Sequence, residues 1–319
     1  MTPPKAQRTS CNVCGQTMAD GQVEPQLCPC HVQAFVGETF HLWRCPTCRT
    51  IHCLEVVDLG RYYACYPFRC RELTWPWRVF YRNLARRLTI FGYDRGRSLL
   101  DYGCGDGLFV EYLRTRGFTR CYGYDPHATG EGVGDRTVLA AGPFDFILLQ
   151  DVLEHVEQPE ALLAELDPHL APGGRVLVGT PNADRVDPAR PERFLNELHA
   201  PYHLHIYTRQ TVEQFGRRLG WQPIGFFDRP YHDCPWLGLN SRAAKEYQRR
   251  IGGTMDAALG ALRWNAILTS PKLWFYMWFG YWLSDRSDLT VVFEKPPSGA
   301  AKPGYNERRP EGSHSADRD

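Results

Sequence analysis

The hydrophobic pattern is most regular between residues 96 and 228, where short apolar runs alternate with segments of helical periodicity. The apolar runs predict buried strands at 98–100, 121–125, 143–151, 175–180, 221–228 and, further on, 289–294. Apolar residues spaced three and four apart predict helices at 108–116, 160–170 and 208–219. Strands that alternate with helices in this way indicate an α/β fold built on one open sheet.

Two further helical segments flank this region. The spacing of Val79, Phe80, Leu84 and Leu88 predicts a connecting helix over 75–91 with an arginine-rich outer face. Residues 231–285 form an insertion ahead of the last strand, and Ser270-Pro271 marks a helix start within it.

Tryptophan recurs every fourth position in that insertion, at Trp274, Trp278 and Trp282. The run is too short to span a bilayer. The pattern favours a buried cap over contact with a lipid or polyprenyl acceptor, and the second interpretation would give peripheral membrane contact through 271–283. The tyrosines at 62, 63 and 66 present a similar choice between packing and closure over a ligand, and packing is favoured.

Changes in composition along the chain predict several units. These are a cysteine-rich domain at 1–58, a connecting segment at 59–95, an α/β domain at 96–295 that contains the insertion, and a disordered Pro/Gly-rich tail at 296–319.

Overall composition excludes some classes of partner. The chain has 319 residues, of which 43% are hydrophobic, and a formal net charge of +1. A charge near zero gives no general attraction to nucleic acid, so nucleic acid is disfavoured as a partner. The first ten residues contain no apolar signal sequence, and no apolar run is long enough to span a bilayer, which predicts a cytoplasmic protein.

Cysteine is concentrated near the start of the chain, where nine of the 12 residues lie before position 71. Clustered cysteine in a cytoplasmic protein favours metal binding over disulfides. Two C-x-x-C pairs predict a zinc-ribbon-like site with one structural Zn²⁺ held by Cys11, Cys14, Cys45 and Cys48. The 30-residue gap between the pairs is long, so Cys28, Cys30, His31 and Cys53 are alternative ligands or a second set.

The stretch 98–107, SLLDYGCGDG, carries the clearest chemical signal. Its strand, glycine turn and following helix are typical of a site where a ligand approaches a helix N-terminus. Asp101 and Asp106 flank the turn, and two carboxylates suit a ligand with an ammonium and a sulfonium better than a pyrophosphate. The P-loop lysine is absent, and the glycine spacing is G-x-G-x-G.

This D-x-G-C-G-D-G stretch resembles motif I of the class I S-adenosylmethionine (SAM) methyltransferases. The later order F-D-x-I-x-x-x-D-V-L-E-H, a helix, L-x-P-G-G and T-P-N resembles the same superfamily over about residues 96–228. The nearest branches are those of ubiquinone-biosynthesis-like and glycan- or lipid-modifying enzymes. The resemblance implies a Rossmann-like methyltransferase sheet preceded by a small zinc-binding domain.

The resemblance implies a cofactor site at the carboxyl ends of the first strands of the sheet. Asp125 ends the second strand 18 residues after Gly107, where an acid accepts hydrogen bonds from both ribose hydroxyls. The expected SAM-binding residues are Asp101, Gly103, Cys104, Gly105, Asp106, Gly107, Asp125, Pro126, Gln150 and Asp151. Residues 130–142 are shorter than the family pattern, so Asp135 or the Val138-Leu139 pair replaces the usual adenine contact.

Two histidines are candidates for a catalytic base. Methyl transfer to a hydroxyl or a carbon acid requires loss of a proton, and histidine suits that task near neutral pH. His155 lies just beyond the strand that reaches the site, and His203 belongs to the cluster HAPYHLHIYT. Related O-methyltransferases can instead hold a divalent cation at the positions of Asp151, Glu154 and His155.

Three functions remain open from the sequence. The first is O- or C-methylation of a small molecule, sugar, glycan or lipid-linked acceptor. The second is rRNA methylation, since some rRNA methyltransferases carry a zinc module. The Gln150-Asp-Val-Leu stretch departs from the N-P-P-Y motif of amino-nitrogen methylation, which disfavours rRNA methylation at an amino nitrogen but leaves methylation at a ring nitrogen open. The third is a SAM-binding protein without catalysis, which the intact glycine turn disfavours.

Overall fold

The computed structural model describes residues 6–18, 24–66, 72–128 and 133–297. The tail predicted to be disordered lies outside these residues from position 298 onward. The strands are β1 (Gln26–Pro29), β2 (Thr39–Arg44), β3 (Ile51–Cys53), β4 (Leu99–Tyr102), β5 (Cys121–Tyr124), β6 (Phe144–Gln150), β7 (Leu170–Pro181), β8 (His205–Ile206), β9 (Gln222–Phe227) and β10 (Asp288–Glu294). The α-helices are α1 (Leu59–Tyr63), α2 (Trp75–Ile90), α3 (Leu108–Thr115), α4 (Pro159–Leu166), α5 (Leu195–Leu198), α6 (Arg209–Arg218), α7 (Ser241–Arg250), α8 (Met255–Leu259), α9 (Trp264–Leu268) and α10 (Pro271–Phe279).

A six-stranded sheet in the order β5-β4-β6-β7-β10-β9 forms the centre of the α/β unit. Strands β5, β4, β6 and β7 pair in parallel, whereas β10 lies antiparallel between β7 and β9. The middle strand β6 is a continuous apolar run in which Phe144, Phe146 and Ile147 are fully buried. Burial on both faces is typical of a parallel strand covered by helices, which confirms the predicted α/β class.

The predicted helix boundaries rest on caps that are present in the structure. Thr208 accepts a hydrogen bond from the Thr211 backbone N–H at the start of α6, and Ser270 accepts one from Leu273 at the start of α10. Gly117, just after α3, has a φ of 84°, the left-handed conformation common after a helix C-terminus.

The region from 160 to 175 differs from the prediction in detail. Helix α4 stops at Leu166, and a 3₁₀ turn at Asp167–His169 follows it. Residues 171–174, predicted as a turn, lie within β7 and bulge out of its pairing with β6. Phe144 of β6 pairs with Leu170, and Phe146, only two residues later, pairs with Arg175. Pairing with β6 keeps β7 extended on both sides of these four residues.

A second, four-stranded sheet has the order β1-β2-β3-β8. Its last strand, β8, comes from the histidine-rich segment of the α/β region. In its pairing with β3, Ile206 lies opposite Ile51 and His205 lies opposite His52. The cores also merge, since Phe40 and Tyr62 share one buried cluster with Leu198 and Tyr202. The cysteine-rich segment therefore completes its sheet and its core with residues some 150 positions away.

Helices α7 to α10 form the insertion between β9 and β10. Helix α10 packs on α7 through Leu273, which is buried with Ala243 and Ile267. The prediction of a buried aromatic cap is wrong, because Trp274, Trp278 and Trp282 are 37%, 60% and 67% exposed. Trp274 and Trp278 share one side of α10 and Trp282 follows in the turn after the helix, and all three side chains are turned toward solvent.

Within the described ranges, none of the helices combines the length and the apolar character needed to cross a bilayer.

Candidate functional site

The glycine turn lies at the carboxyl end of β4 and starts helix α3. Gly103, Gly105 and Gly107 all have positive φ, at 81°, 54° and 79°. A Cβ at Gly103 would collide with the Val152 side chain, whereas a Cβ at Gly105 would meet no atom within 4 Å. The turn is therefore tightly packed on one side and open to a ligand on the other.

Three carboxylates lie at this turn. Asp125 accepts hydrogen bonds from the backbone N–H groups of Gly105 (3.0 Å) and His127 (2.7 Å), which fixes its orientation after β5. Asp101 is only 5% exposed, and burial together with the nearby charge of Asp125 raises the pKa of its carboxyl to about 7. Asp106 has one buried carboxylate oxygen with no partner among the described residues. The site is therefore acidic, as the sequence indicated, and its negative charges are not balanced by nearby basic side chains among the described residues.

The remaining predicted cofactor residues line the same edge. Cys104 lies against β5, since a Cβ on Gly123 would lie 2.8 Å from its Sγ. Gln150 packs over Gly179 and donates from Nε2 to Asp151 Oδ1 at 2.9 Å. Pro126 directly follows Asp125 in the same loop.

Asp151 departs from ordinary backbone geometry at the end of β6. Its φ is 57°, and left-handed backbone at a non-glycine residue is uncommon outside turns and functional sites. The residue is exposed to solvent, yet partial desolvation by the surrounding groups raises the pKa of its carboxyl to about 6.

The adenine side of the site remains a prediction. Asp135 caps a short 3₁₀ helix (Arg136–Ala141) by accepting from the Thr137 N–H at 2.8 Å, so its carboxylate is used locally. Leu139 is buried in the core and Val138 packs at its edge. Residues 129–132, which belong to the shortened segment, lie outside the described residues.

His155 and His203 come together with their rings 4.8 Å apart. His155 Nδ1 lies 3.0 Å from the Tyr202 carbonyl, and His203 Nδ1 lies 2.7 Å from the Glu197 carbonyl. Because a carbonyl can only accept, each Nδ1 carries the hydrogen when the ring is neutral, and each Nε2 keeps its lone pair.

The protonation states of both rings follow from their surroundings. Burial lowers the pKa of His155 well below its usual value, and the neighbouring His203 lowers it further. Burial lowers the pKa of His203 to about 4. Both imidazoles are therefore neutral near pH 7 and can accept a proton at Nε2.

Glu154 is the third member of this cluster. Its side chain is fully buried, and neither carboxylate oxygen has a hydrogen-bond partner among the described residues. Burial first, and then the charge of Asp151, raises its pKa well above the usual value. One ligand atom each from Glu154, His155 and His203 lies within 4.8 Å of the others, a geometry that can hold a metal ion.

Three further residues lie near these groups. Tyr63, for which the sequence favoured packing over closure on a ligand, places its hydroxyl 3.0 Å from His155 Nδ1 and stacks on His127. Sequence reasoning missed Tyr231 and Asp288, whose pKa values are raised by burial and further by the charge of Asp151. No local signal marks these two residues, because they come from the start of the insertion and the last strand.

The four predicted zinc ligands also come together. Cys11 Sγ lies 3.4 Å from Cys48 Sγ, and Cys14 Sγ lies 3.6 Å from Cys45 Sγ. All four sulfurs lie within 4.8 Å of one another. In a tetrahedral site with Zn–S bonds of about 2.3 Å, sulfurs are about 3.8 Å apart, so this donor set fits zinc.

The alternative ligands lie elsewhere. Cys28 and Cys53 are buried in the core beneath the small sheet, where burial raises both pKa values to about 12. His31 Nε2 is 3.2 Å from His199 Nδ1. Beside the four-cysteine cluster, His52 Nε2 lies 3.2 Å from Cys11 Sγ, and its Nδ1 lies 2.9 Å from His205 Nδ1.

Comparison with known proteins agrees with this geometry. Residues 77–224 match a family model described as a methyltransferase domain. Ubiquinone biosynthesis O-methyltransferase of Caulobacter sp. (strain K31) is 37% identical over 105 residues, which cover 27% of this chain and 42% of that protein. The protein of the same name from Escherichia coli (strain K12 / DH10B) is 29% identical over 105 residues, covering 27% and 44%. The chain thus spans less than half the length of the curated relatives it matches.

Solved structures give more distant similarities. A SAM-dependent methyltransferase from Archaeoglobus fulgidus aligns with a TM-score of 0.40 and 17% identity, covering 66% of this chain and 92% of that one. A Haemonchus contortus phospholethanolamine N-methyltransferase 2 aligns with a TM-score of 0.43 and 17% identity, covering 78% and 64%. The family match and the sequence relatives thus indicate a methyltransferase domain over residues 77–224, and this range contains most of the α/β sheet described above.

Proposed function

We propose that this protein methylates a hydroxyl or carbon acid of a small-molecule, sugar, glycan or lipid-linked acceptor, with His155 as the catalytic base. The observation that supports this most is the neutral His155 imidazole, whose Nδ1 is tied to the Tyr202 carbonyl while Nε2 remains available. The ring lies at the carboxyl edge of the sheet, immediately beyond the strand that ends in Gln150 and Asp151.

The cofactor is proposed to bind across the glycine turn. Gly105 leaves space for close approach, and Asp125 offers two carboxylate oxygens held in place by backbone N–H groups. Asp101 and Asp106 supply negative charge toward a cationic ligand. When bound, SAM supplies an activated methyl group on a positively charged sulfur.

The chain's own contribution to the chemistry is alignment and proton removal. Tyr63 and the Tyr202 carbonyl orient the His155 ring, so Nε2 can accept a proton from an acceptor without first losing one. Bringing donor and acceptor together in a restricted cleft supplies a further large share of the acceleration.

The cluster of Glu154, His155 and His203 supports a second proposal, in which these residues hold a divalent cation. Histidines that bind metals commonly donate their second N–H to a carbonyl, and both rings here do so. A divalent cation held by these residues would lower the pKa of a bound hydroxyl acceptor in place of a histidine base.

We also propose that Cys11, Cys14, Cys45 and Cys48 bind one structural Zn²⁺. Four thiolates leave no open coordination position for water, so such a site stabilises the fold and takes no part in catalysis. The His52 ring beside Cys11 is placed to donate a hydrogen bond to that thiolate.

The test of the proposed function is a methyl-transfer assay with labelled SAM on candidate acceptors. His155→Ala is expected to lower kcat by about 10²–10⁴ while SAM affinity stays nearly unchanged. The control is His169→Ala, a histidine on the 3₁₀ turn after α4. Full kcat in His155→Ala would contradict the base assignment. If activity is lost when a divalent cation is removed while the zinc is retained, a cation held by Glu154, His155 and His203 would be favoured over a histidine base.

A further inference from the structure

Helix α10 and the turn after it carry an exposed aromatic surface, defined here as Trp274, Phe275, Trp278, Phe279 and Trp282. Their exposed fractions are 37%, 49%, 60%, 53% and 67%. The first four lie at i, i+1, i+4 and i+5 along one side of α10, opposite the buried Leu273, and Trp282 follows in the turn after the helix. Contiguous apolar patches of this kind are rare on monomeric soluble proteins and mark interaction sites.

The neighbouring helix extends this surface. On α9, which packs against α10, Trp264 and Leu268 are 63% and 66% exposed, and Leu262 just before it is 57% exposed. The helices are fixed by their other faces, since Ser270 caps α10 and the Asn240 side chain donates to the Tyr276 carbonyl. The aromatic rings are therefore presented on a rigid support.

The charges around this surface have one predominant sign. Residues 235–284 contain six basic and two acidic side chains, in a chain with a net charge of only +1. The basic residues are Arg242, Lys245, Arg249, Arg250, Arg263 and Lys272. Arg242 and Lys245 are half-buried and pair with Asp285 and Glu197, whereas Arg249, Arg250, Arg263 and Lys272 are exposed. Of the two acids, Glu246 is buried and pairs with Arg249 and Lys272, and Asp256 accepts from the Gln33 backbone N–H. The exposed charge beside the aromatic rings is therefore predominantly basic.

The residues outside the described ranges offer few large apolar side chains that could cover these rings. Outside the described residues, Phe68 and Tyr305 are the only aromatic residues, and 298–319 contains no Leu, Ile, Val, Phe or Trp. A two-fold contact with a second copy would place two positively charged segments face to face, which is electrostatically unfavourable.

We propose that the aromatic surface docks on the interface of a membrane that contains anionic phospholipid. Tryptophan and other aromatic side chains favour the headgroup level of a bilayer, and lysine and arginine are attracted to anionic headgroups. Helix α10 has nine residues and is about 14 Å long, well short of the ~30 Å hydrocarbon core, so it lies in the interface and does not span it.

The surface is also connected to the cleft. Arg229 donates to the Tyr281 carbonyl just after α10 and pairs with Asp233, and Tyr231 lies between them in sequence. The Tyr231 phenol senses the charges of Asp151 and Asp101. Residues 229–233 therefore contact the segment just after α10 and carry a phenol that lies within electrostatic range of Asp151.

The experiment is co-sedimentation of the full chain with vesicles of phosphatidylglycerol and phosphatidylcholine, compared with phosphatidylcholine alone. We expect binding to the anionic vesicles that weakens as salt is raised. The double variant Trp278→Ser/Trp282→Ser is expected to bind about tenfold or more weakly, because two large apolar rings no longer enter the interface. Both side chains lie outside the buried cluster of α7 to α10, so the fold is retained.

The matched control is Trp75→Ser, a 62% exposed tryptophan on α2 outside the insertion. It is expected to bind vesicles as the wild type does. Absence of binding to anionic vesicles, or equal weakening in Trp75→Ser and the double variant, would overturn the proposal. So would a dimer in sedimentation velocity that the double variant dissociates, since a second copy would then be the occupant. None of these readouts depends on methyl transfer.

Discussion

At the scale of single residues, the site combines glycines in crowded, left-handed backbone with carboxylates that have no basic partner among the described residues. Gly103 and Gly107 adopt positive φ where a side chain would meet Val152 or Val133. Asp101 is buried next to Asp125 without a basic partner among the described residues, which is costly for the empty protein. A cationic ligand relieves that cost, so the same residues that destabilise the empty site favour binding.

Asp125 is proposed to accept hydrogen bonds from the ribose hydroxyls of SAM, and this role leads to a direct prediction. Asp125→Ala is expected to weaken SAM binding by about 1–3 kcal/mol, the loss expected for hydrogen bonds to a charged group. Isothermal titration measures the change, and Asp94→Ala, which removes an exposed carboxylate before β4, is the control. Unchanged affinity in a folded Asp125→Ala protein would exclude this residue from the binding site.

The raised pKa of Asp101 predicts a pH-dependent affinity. The charged carboxylate attracts the cationic ligand, and with a pKa of about 7 its population increases between pH 6 and 8. SAM affinity is therefore expected to rise by about tenfold over that interval. Asp101→Asn is expected to remove this part of the dependence. The ligand's own ionisation is common to both proteins, so identical pH curves for wild type and variant would contradict the prediction.

At the scale of elements, two short strands connect chemistry that is distant in sequence. Strand β3 carries His52, which contacts Cys11 Sγ, and pairs with β8, which carries His205. Two residues before β8 lies His203, which contacts the ring of His155. The β3–β8 pair therefore joins the four-cysteine cluster to the methyltransferase cleft through a few residues of backbone.

The zinc site is expected to control the stability of these strands. The wild-type protein is expected to contain one zinc per chain, and Cys14→Ser to contain none, with a lower Tm because the β1–β3 segment loses its cross-link. Elemental analysis and thermal unfolding measure both effects. The control is Cys65→Ser, an exposed cysteine outside the cluster. Full zinc in Cys14→Ser would shift the assignment to Cys28, Cys30, His31 or Cys53.

At the scale of the whole molecule, the cysteine-rich segment and the α/β unit share structure. The Arg44 guanidinium donates to the Ala183 carbonyl, and the Tyr202 hydroxyl donates to the Tyr62 carbonyl. The Cys53 backbone N–H donates to the Leu204 carbonyl. These contacts cross between the segments, and neither segment would satisfy them alone.

This sharing predicts cooperative unfolding. Calorimetry of the full chain with its metal is expected to show one thermal transition, because loss of β8 exposes the core under β1–β3. Ile206→Pro, which disrupts the pairing with Ile51, is expected to lower the Tm of the entire transition. Two well-separated transitions in the wild type would show instead that the segments unfold independently.

Much of this protein follows from local sequence. The α/β class, the glycine turn, the acid after β5 and the caps at Thr208 and Ser270 were all predicted, because each depends on neighbours within a few residues. The four cysteines were also grouped correctly from their C-x-x-C spacing. Short-range geometry, periodicity and side-chain chemistry suffice for such features.

Tertiary structure decided what no local pattern encodes. It paired β8 with the cysteine-rich segment, joined Glu154 with His203, and turned the aromatic face of α10 outward. A four-residue tryptophan spacing fixes which side of a helix is aromatic but not what that side faces. Pairing and packing partners come from distant parts of the chain, so the cleft and the exposed surface were determined only when the whole chain was folded.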